Sequence, residues 1–278
     1  MKDLRGANAV VTGASRGIGV FIAKALADEG VNLSLAARSE AELHQVRTEI
    51  EGLGVRAIAT VCDVADPDDR AALLARTEAG LGPIDILVNN AGIERIRRFE
   101  LAAEADFTET LAINLEAPIL LTRAVVPGML ERGRGHVVNI ASGAGKVGVA
   151  YGTSYCASKH GLVGFTHALR AEYDRSPVGF SVVCPGFVTD VGMYDRWEQR
   201  GVRAPKLAGS SKPEKVAAVT VDCIRRNKAE VIVNTPPVRP LVVLANVLPS
   251  ATPKLLRWFG YTSTFEKVIA AGIDQPTT

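Results

Sequence analysis

An α/β fold, a doubly wound parallel β-sheet with helices on both faces and a C-terminal helical extension, is predicted by three features of this 278-residue chain. Seven short apolar runs recur along it, amphipathic segments with three- and four-residue periodicity separate most of them, and helical periodicity alone continues after the last run. Strands this short and uniformly apolar fit a sheet covered on both faces, since a one-sided antiparallel sheet would alternate. Strand and helix in such repeated alternation imply crossover connections and a parallel sheet.

The first run, "NAVVT" (8–12), passes through a glycine-rich turn into "GIGVFIAKALADEG". The second, "NLSLA" (32–36), leads to "AELHQVRTEIEGLG". Both following segments read as amphipathic helices, each closed by a glycine that can adopt the left-handed C-terminal cap. The remaining strands are "VRAIATV" (55–61), "DILVNN" (85–90), "GHVVNIA" (135–141), "FSVVCP" (180–185) and "AEVIVN" (229–234). Long helices are expected over 106–131 and 154–174. Two segments break the alternation. Residues 187–215 are polar and aromatic and longer than an ordinary connection, which marks a candidate functional loop or lid. Residues 235–278 open with "TPPVRP" and read as short helices appended to a finished sheet.

Composition excludes several classes. With 47% hydrophobic and 22% charged residues the chain is globular, and a net charge of +2 without a basic block gives nucleic acid nothing to grip. Cys62, Cys156, Cys184 and Cys223 form no CxxC pair, and His44, His136, His160 and His167 show no ligand spacing, so no metal site is expected. No signal-peptide pattern precedes the first strand, and no apolar run reaches the roughly 18 to 20 residues of a membrane span, Leu241–Leu248 being the longest candidate. The expected compartment is the cytoplasm.

Chemistry enters at "VVTGASRGIGVF", where Gly13, Gly17 and Gly19 stand between strand and helix. That arrangement points backbone N–H groups and a helix N-terminus at a pyrophosphate. Alone it could equally be a tight turn. It is accompanied by "CDVAD" (62–66), "NNAG" (89–92), Asn114, Ser142, "YCASK" (155–159) and "PG" (185–186), and over residues 4–234 the set resembles the short-chain dehydrogenase/reductase family in motif type, order and spacing. The resemblance implies a Rossmann-like catalytic domain over 1–234, its cofactor half about 1–141 and its catalytic and substrate half about 142–234, with 235–278 an extension of the same domain.

It also implies a nicotinamide cofactor. Gly13, Ser15, Arg16, Gly17, Ile18 and Gly19 would hold the pyrophosphate side, while Asn90, Ala91 and Gly92 would run beside the cofactor. Asp63 and Val64 would hold the adenine, although Asp63 could equally be a helix-start residue. Pro185, Gly186, Val188 and Thr189 would close over the carboxamide. The residues after the second strand, Ala36, Ala37, Arg38 and Ser39, include no acid to bond an NAD ribose hydroxyl. Arg38 and Arg16 offer guanidinium forks and Ser39 a hydroxyl for a 2′-phosphate, so NADP(H) is expected over NAD(H).

Tyr155 and Lys159, four residues apart, share a helix face. Free tyrosine, with a pKa near 10, needs a neighbouring cation to act at neutral pH. By the resemblance Tyr155 exchanges the proton, Lys159 supplies that charge and holds the nicotinamide ribose, Ser142 bonds the substrate oxygen and Asn114 anchors a water. The implied reaction interconverts a carbonyl and a secondary alcohol by hydride transfer.

Met193, Tyr194 and Trp197, with Val147 and Tyr151, are candidate substrate contacts, suggesting a bulky hydrophobic substrate such as a lipid, steroid-like or aromatic compound. The same side chains could instead pack the loop onto its sheet. Reduction of a 3-oxoacyl thioester ranks below that reading because of the aromatic loop and appended tail, and a non-catalytic NADPH-binding sensor or scaffold ranks below both. The resemblance implies a homo-oligomer, dimer or tetramer, through the long helices. The tail, rich in leucine and aromatics, could touch a membrane, but its proline breaks and weak charge favour packing over the cleft or a subunit.

Overall fold

The computed structural model describes residues 1–205 and 208–273; residues 206–207 of the 187–215 segment and 274–278 of the extension lie outside that description. Seven strands, β1 (Asn8–Thr12), β2 (Asn32–Ala37), β3 (Ala57–Val61), β4 (Ile86–Asn89), β5 (Gly135–Ile140), β6 (Val178–Pro185) and β7 (Glu230–Val233), form one sheet in the order β3-β2-β1-β4-β5-β6-β7. Every pairing is parallel. The order reverses between β1 and β4, and in such sheets ligands bind beyond the carboxyl ends of the strands at that switch point.

Period-two alternation sends the side chains of each strand to two cores. Ala9 and Val11 of β1 join Ile22 and Leu26 of α1 (Ile18–Asp28), Leu43 of α2 (Glu40–Glu51) and Ile224 of α8 (Pro213–Arg226) on one face. Val10 joins Leu73 of α3 (Pro67–Gly80) and Leu121 and Met129 of α5 (Ala117–Glu131) on the other. A polar ladder crosses the sheet's interior: Asn89 donates to Asn139 (2.8 Å) and to Thr122 (3.3 Å), and Asn139 donates to Thr166 (2.8 Å). Apolar periodicity carries no trace of this ladder.

The long helix expected over 106–131 is interrupted. α4 (Glu104–Leu111) and α5 are joined by a π-helical turn over Ala112–Glu116, which contains Asn114. Contrary to the expectation from apolar runs, the stretch Glu104–Glu131 is long and apolar enough by length and composition to span a bilayer; half of its most apolar window is buried inside the fold. The second long helix, α6, spans Thr153–Glu172.

The 187–215 segment is not an open loop, because it holds α7 (Gly192–Gln199) and the start of α8. The extension forms α9 (Arg239–Val247), α10 (Thr252–Trp258) and α11 (Tyr261–Ala270). α11 buries Phe265 and Val268 against Trp197 of α7, Val202 and Ile96, with the Trp197 and Phe265 rings 5.2 Å apart and nearly perpendicular. Phe187, Tyr194 and Trp197 of the segment and Tyr261 and Phe265 of the tail thus share one small core.

Candidate active site

The glycine turn is shaped by main chain alone. Gly13 and Gly17 hold φ of +66° and +63°, a region that side chains disfavour. A Cβ on Gly19 would overlap the Gly13 carbonyl oxygen and approach Asn90 Nδ2 to 2.7 Å. Asn90 itself is a brace, since its Nδ2 donates to the carbonyls of Thr12 (2.9 Å) and Gly13 (3.1 Å). The Thr12 hydroxyl accepts from the N–H groups of Asn90 and Ala91, 3.0 Å each. So "NNAG" fixes the glycine turn against the end of β4. Ser15, Arg16 and Ile18 lie on this turn and at the start of α1, and Gly192, opening α7, lies 3.5 Å from where a Gly17 Cβ would stand.

Arg38 and Ser39 follow β2 at the surface, as Arg16 does on the neighbouring turn. Ala37 holds the position of the missing acid, and among the described residues neither arginine is in an ion pair. After β3, Asp63 accepts from Ala65 N at 3.0 Å, while Val64 is buried. The helix-start role belongs to Asp66, whose carboxylate accepts from the N–H groups of Asp68 and Asp69 at the N-terminus of α3. This fold therefore leaves Asp63 out of that cap.

Tyr155, Lys159 and Asn114 are buried together on the carboxyl side of β4 and β5. Lys159 Nζ donates to the Ile140 carbonyl (3.0 Å) and lies 5.8 Å from the centroid of the Tyr155 ring. The Ser142 hydroxyl acts on Tyr155 by favouring its ionised form, and Ser142 Oγ accepts from Ala144 N at 3.1 Å. Asn114 accepts from Ile93 N (2.8 Å) and donates to Ile93 O (2.8 Å) and Ser158 Oγ (3.1 Å), which ties the π-turn to both the strand β4 exit and α6. Gly92 sits at the junction, where a Cβ would lie 3.2 Å from Asn114 Oδ1 and 3.4 Å from Lys159 Nζ.

Burial dominates the electrostatics. It pushes the Tyr155 hydroxyl up, reinforced by the Glu94 carboxylate and opposed by the Ser142 hydroxyl. It pulls Lys159 down to about 8, against the Glu94 carboxylate, which favours the cation. Glu94 is thus a charge of the site that motif reading missed; its only signal was its place two residues beyond "NNAG". A protonated Tyr155 beside a lysine that titrates near neutrality suits proton donation to an oxygen that gains charge.

On the far side, Gly186 N donates to Val233 O (2.9 Å), Val188 pairs with Ser211, and Thr189 N donates to Ser211 O (3.1 Å). Pro185 closes β6. Of the candidate substrate residues, Trp197 is buried in the core under α11, and the Tyr194 hydroxyl accepts from Ala204 N (2.9 Å). The Tyr151 hydroxyl donates to Glu266 of α11 (3.0 Å). Met193 and Val147 are half-buried. The aromatic side chains of the segment are thus engaged in holding it to the tail.

A Gly-rich turn on β1, a braced "NNAG" and a Ser142–Tyr155–Lys159 set with its tyrosine and lysine buried, all on one parallel sheet, define an oxidoreductase site of the short-chain dehydrogenase type. The profile of that family, short chain dehydrogenase, matches residues 7–201, and the chain belongs to the family. It is 40% identical over 272 residues, 96% of this chain and 94% of the relative, to ketoacyl reductase HetN of Nostoc sp.. It is 43% identical over 182 residues, 65% of this chain and 67% of the relative, to granaticin polyketide synthase putative ketoacyl reductase 1 of Streptomyces violaceoruber. Among solved structures, a variant of actinorhodin polyketide ketoreductase with NADPH superposes with a TM-score of 0.76 at 32% identity, covering 84% of this chain and 97% of that one. A metagenomic short-chain oxidoreductase in complex with NADP gives 0.71 at 35% identity, covering 83% and 97%. The chain is an enzyme of this oxidoreductase family, and the sensor or scaffold alternative falls away. These relatives favour ketoacyl reduction, the reading ranked second from sequence, and lend no support to a bulky hydrophobic substrate class.

Proposed function

We propose that the chain is an NADP(H)-dependent reductase of 3-oxoacyl thioesters. The observation that carries the substrate class is the identity with a ketoacyl reductase through 96% of the chain, extension included. The tail had argued against that class, yet the relative matches across it. Burial of Trp197 against Phe265 also removes the main aromatic candidate for a hydrophobic substrate wall.

The glycine turn fits a pyrophosphate, because Gly13 and Gly17 take positive φ and Gly19 packs on the Gly13 carbonyl, a tight turn at the N-terminus of α1 whose N–H groups suit an anion. The absence of an acid at Ala37 and the guanidinium groups of Arg16 and Arg38, in no ion pair among the described residues, fit a 2′-phosphate. NADPH, when bound, supplies the hydride. Ser142 then donates a hydrogen bond to the keto oxygen, Tyr155 delivers the proton to it, and Lys159 holds positive charge beside the tyrosine that loses one. The Ile140 carbonyl holds Lys159, and Gly92, having no Cβ, leaves room beside its Nζ. By resemblance to the family the active unit is a homo-oligomer.

Oxidation of NADPH with acetoacetyl-CoA, compared with a bicyclic ketone lacking a thioester, tests the substrate class. A higher kcat/KM for the thioester supports the reading. A marked preference for the free ketone would return the hydrophobic-substrate reading to first place.

A further inference from the structure

The extension divides into two halves with opposite surfaces. α11 turns Phe265 and Val268 into the core over α7, as an ordinary covering helix does. α9 is apolar on both sides. Val242 and Ala245 face inward, and Asn246 Nδ2 reaches the Lys146 carbonyl at 3.2 Å, which seats the helix against the loop between β5 and α6. Outward, Pro240, Val243, Leu244 and Val247 stand at positions i, i+3, i+4 and i+7, and Val247 is 69% exposed. These four residues line, with Arg239, a shallow apolar depression of about 620 Å³. On α10, Trp258 is 78% exposed. Isolated surface leucines need no explanation, but a helical stripe of this kind marks an interaction site.

Charge selects the occupant. The chain has 30 acidic residues, yet none falls between positions 235 and 265, where Arg239, Lys254 and Arg257 are the only charged side chains and all three are exposed. An apolar helix face with Arg239 on its rim, in a segment whose only other charges are Lys254 and Arg257, is complementary to a bilayer surface carrying anionic headgroups, where apolar groups sink to the acyl boundary and basic groups meet phosphate. A second copy of this chain would bring the same three cations against themselves, so like charge opposes that alternative. We propose that α9 and α10 form a peripheral docking surface for an anionic lipid bilayer. The site at the carboxyl ends of the strands is thereby held near the membrane through the α9–Lys146 contact.

The protein carries its own reporter, because Trp197 is buried and Trp258 is exposed. The test is co-sedimentation and tryptophan emission with phosphatidylcholine vesicles, with and without phosphatidylglycerol. Three headgroup contacts, each worth about a five-fold gain, predict a preference on the order of 100-fold for the anionic vesicles, lost at high salt. Emission should shift to the blue in the anionic vesicles, and the Val243→Asp/Val247→Asp double variant should stay in the supernatant with its NADPH oxidation intact. Equal partition onto both vesicles, or none onto either, would overturn the proposal. So would a wild type that ignores vesicles yet sediments as an oligomer that the double variant dissociates, since the face would then be a contact between copies. A double variant that has lost NADPH oxidation is replaced by Trp258→Ser with Lys254→Glu, which must lower binding to the anionic vesicles; unchanged binding would overturn the proposal as well.

Discussion

Lys159 Nζ donates to the carbonyl of Ile140 at 3.0 Å, a bond that pins α6 to β5 two residues before Ser142. The lysine is buried, and the same burial that positions it weakens its hold on a proton, lowering its pKa to about 8. The sign is fixed by the cause: a base with a lowered pKa carries its charge below about 8 and loses it above. If the cation assists proton donation by Tyr155, kcat/KM for reduction is level below about pH 8 and falls above it. Lys159→Arg, with a pKa above 12, removes that limb even if the rate drops. A limb unchanged in the arginine variant would assign it to another group. Tyr155→Phe should lower kcat by about 10² to 10⁴, the usual worth of a positioned acid.

Gly19→Ala meets the Gly13 carbonyl and cannot be relieved by rotating a side chain, since the obstacle is backbone. The expected cost is about 1–3 kcal/mol in unfolding free energy, together with loss of dinucleotide binding. Gly164→Ala is the contrast. It lies within α6 with nothing within 4 Å of the added methyl, and should raise stability by roughly 0.5–1 kcal/mol. A lower Tm for Gly164→Ala would reveal a subunit packed on that face of α6.

Trp197 and Phe265 join α7 to the extension by an edge-to-face contact. Each alanine variant should cost about 3–5 kcal/mol if unfolding is cooperative, and the double-mutant cycle should return a coupling of about 0.5–1.5 kcal/mol. Strict additivity in denaturant titrations would mean that the tail and α7 do not support each other.

His136 is fully buried beside Ser181, 2.8 Å from Nε2 to Oγ, and burial lowers its pKa to about 3. The unfolded chain takes up the proton near pH 6.5, so it binds more protons than the folded one below that value and stability falls as pH drops. Between about pH 6.5 and pH 5 this single group should remove up to about 2 kcal/mol, and less in His136→Gln. Thermal unfolding of both proteins across that range checks the sign; equal losses would place the acid sensitivity elsewhere.

Much of this was legible because the chemistry demands particular residues at particular spacings. All seven strands follow from uniform apolar runs, and the glycine turn, Tyr155 and Lys159 announce themselves by spacing. The residues that escaped notice act through tertiary contact alone. Glu94 has no motif, the Asn89–Asn139–Thr166 ladder is polar inside apolar strands, and Gly92 gains meaning only where Asn114 and Lys159 converge. The aromatic residues of 187–199 were ambiguous for the same reason: a Trp that lines a cleft and one that packs under a helix 68 residues later look alike in sequence. Their partner, α11, had to be seen docked.

The central claim, an NADPH-linked reductase with its 2′-phosphate held by Arg38, is tested most directly by titrating wild type and Arg38→Ala with NADPH and NADH, following nicotinamide fluorescence. The predicted result is tighter binding of NADPH by the wild type, with a loss of roughly 10- to 100-fold in the variant, as for a charge-assisted bond, and no change for NADH. Equal affinity for the two dinucleotides, or a variant that weakens both alike, would contradict it.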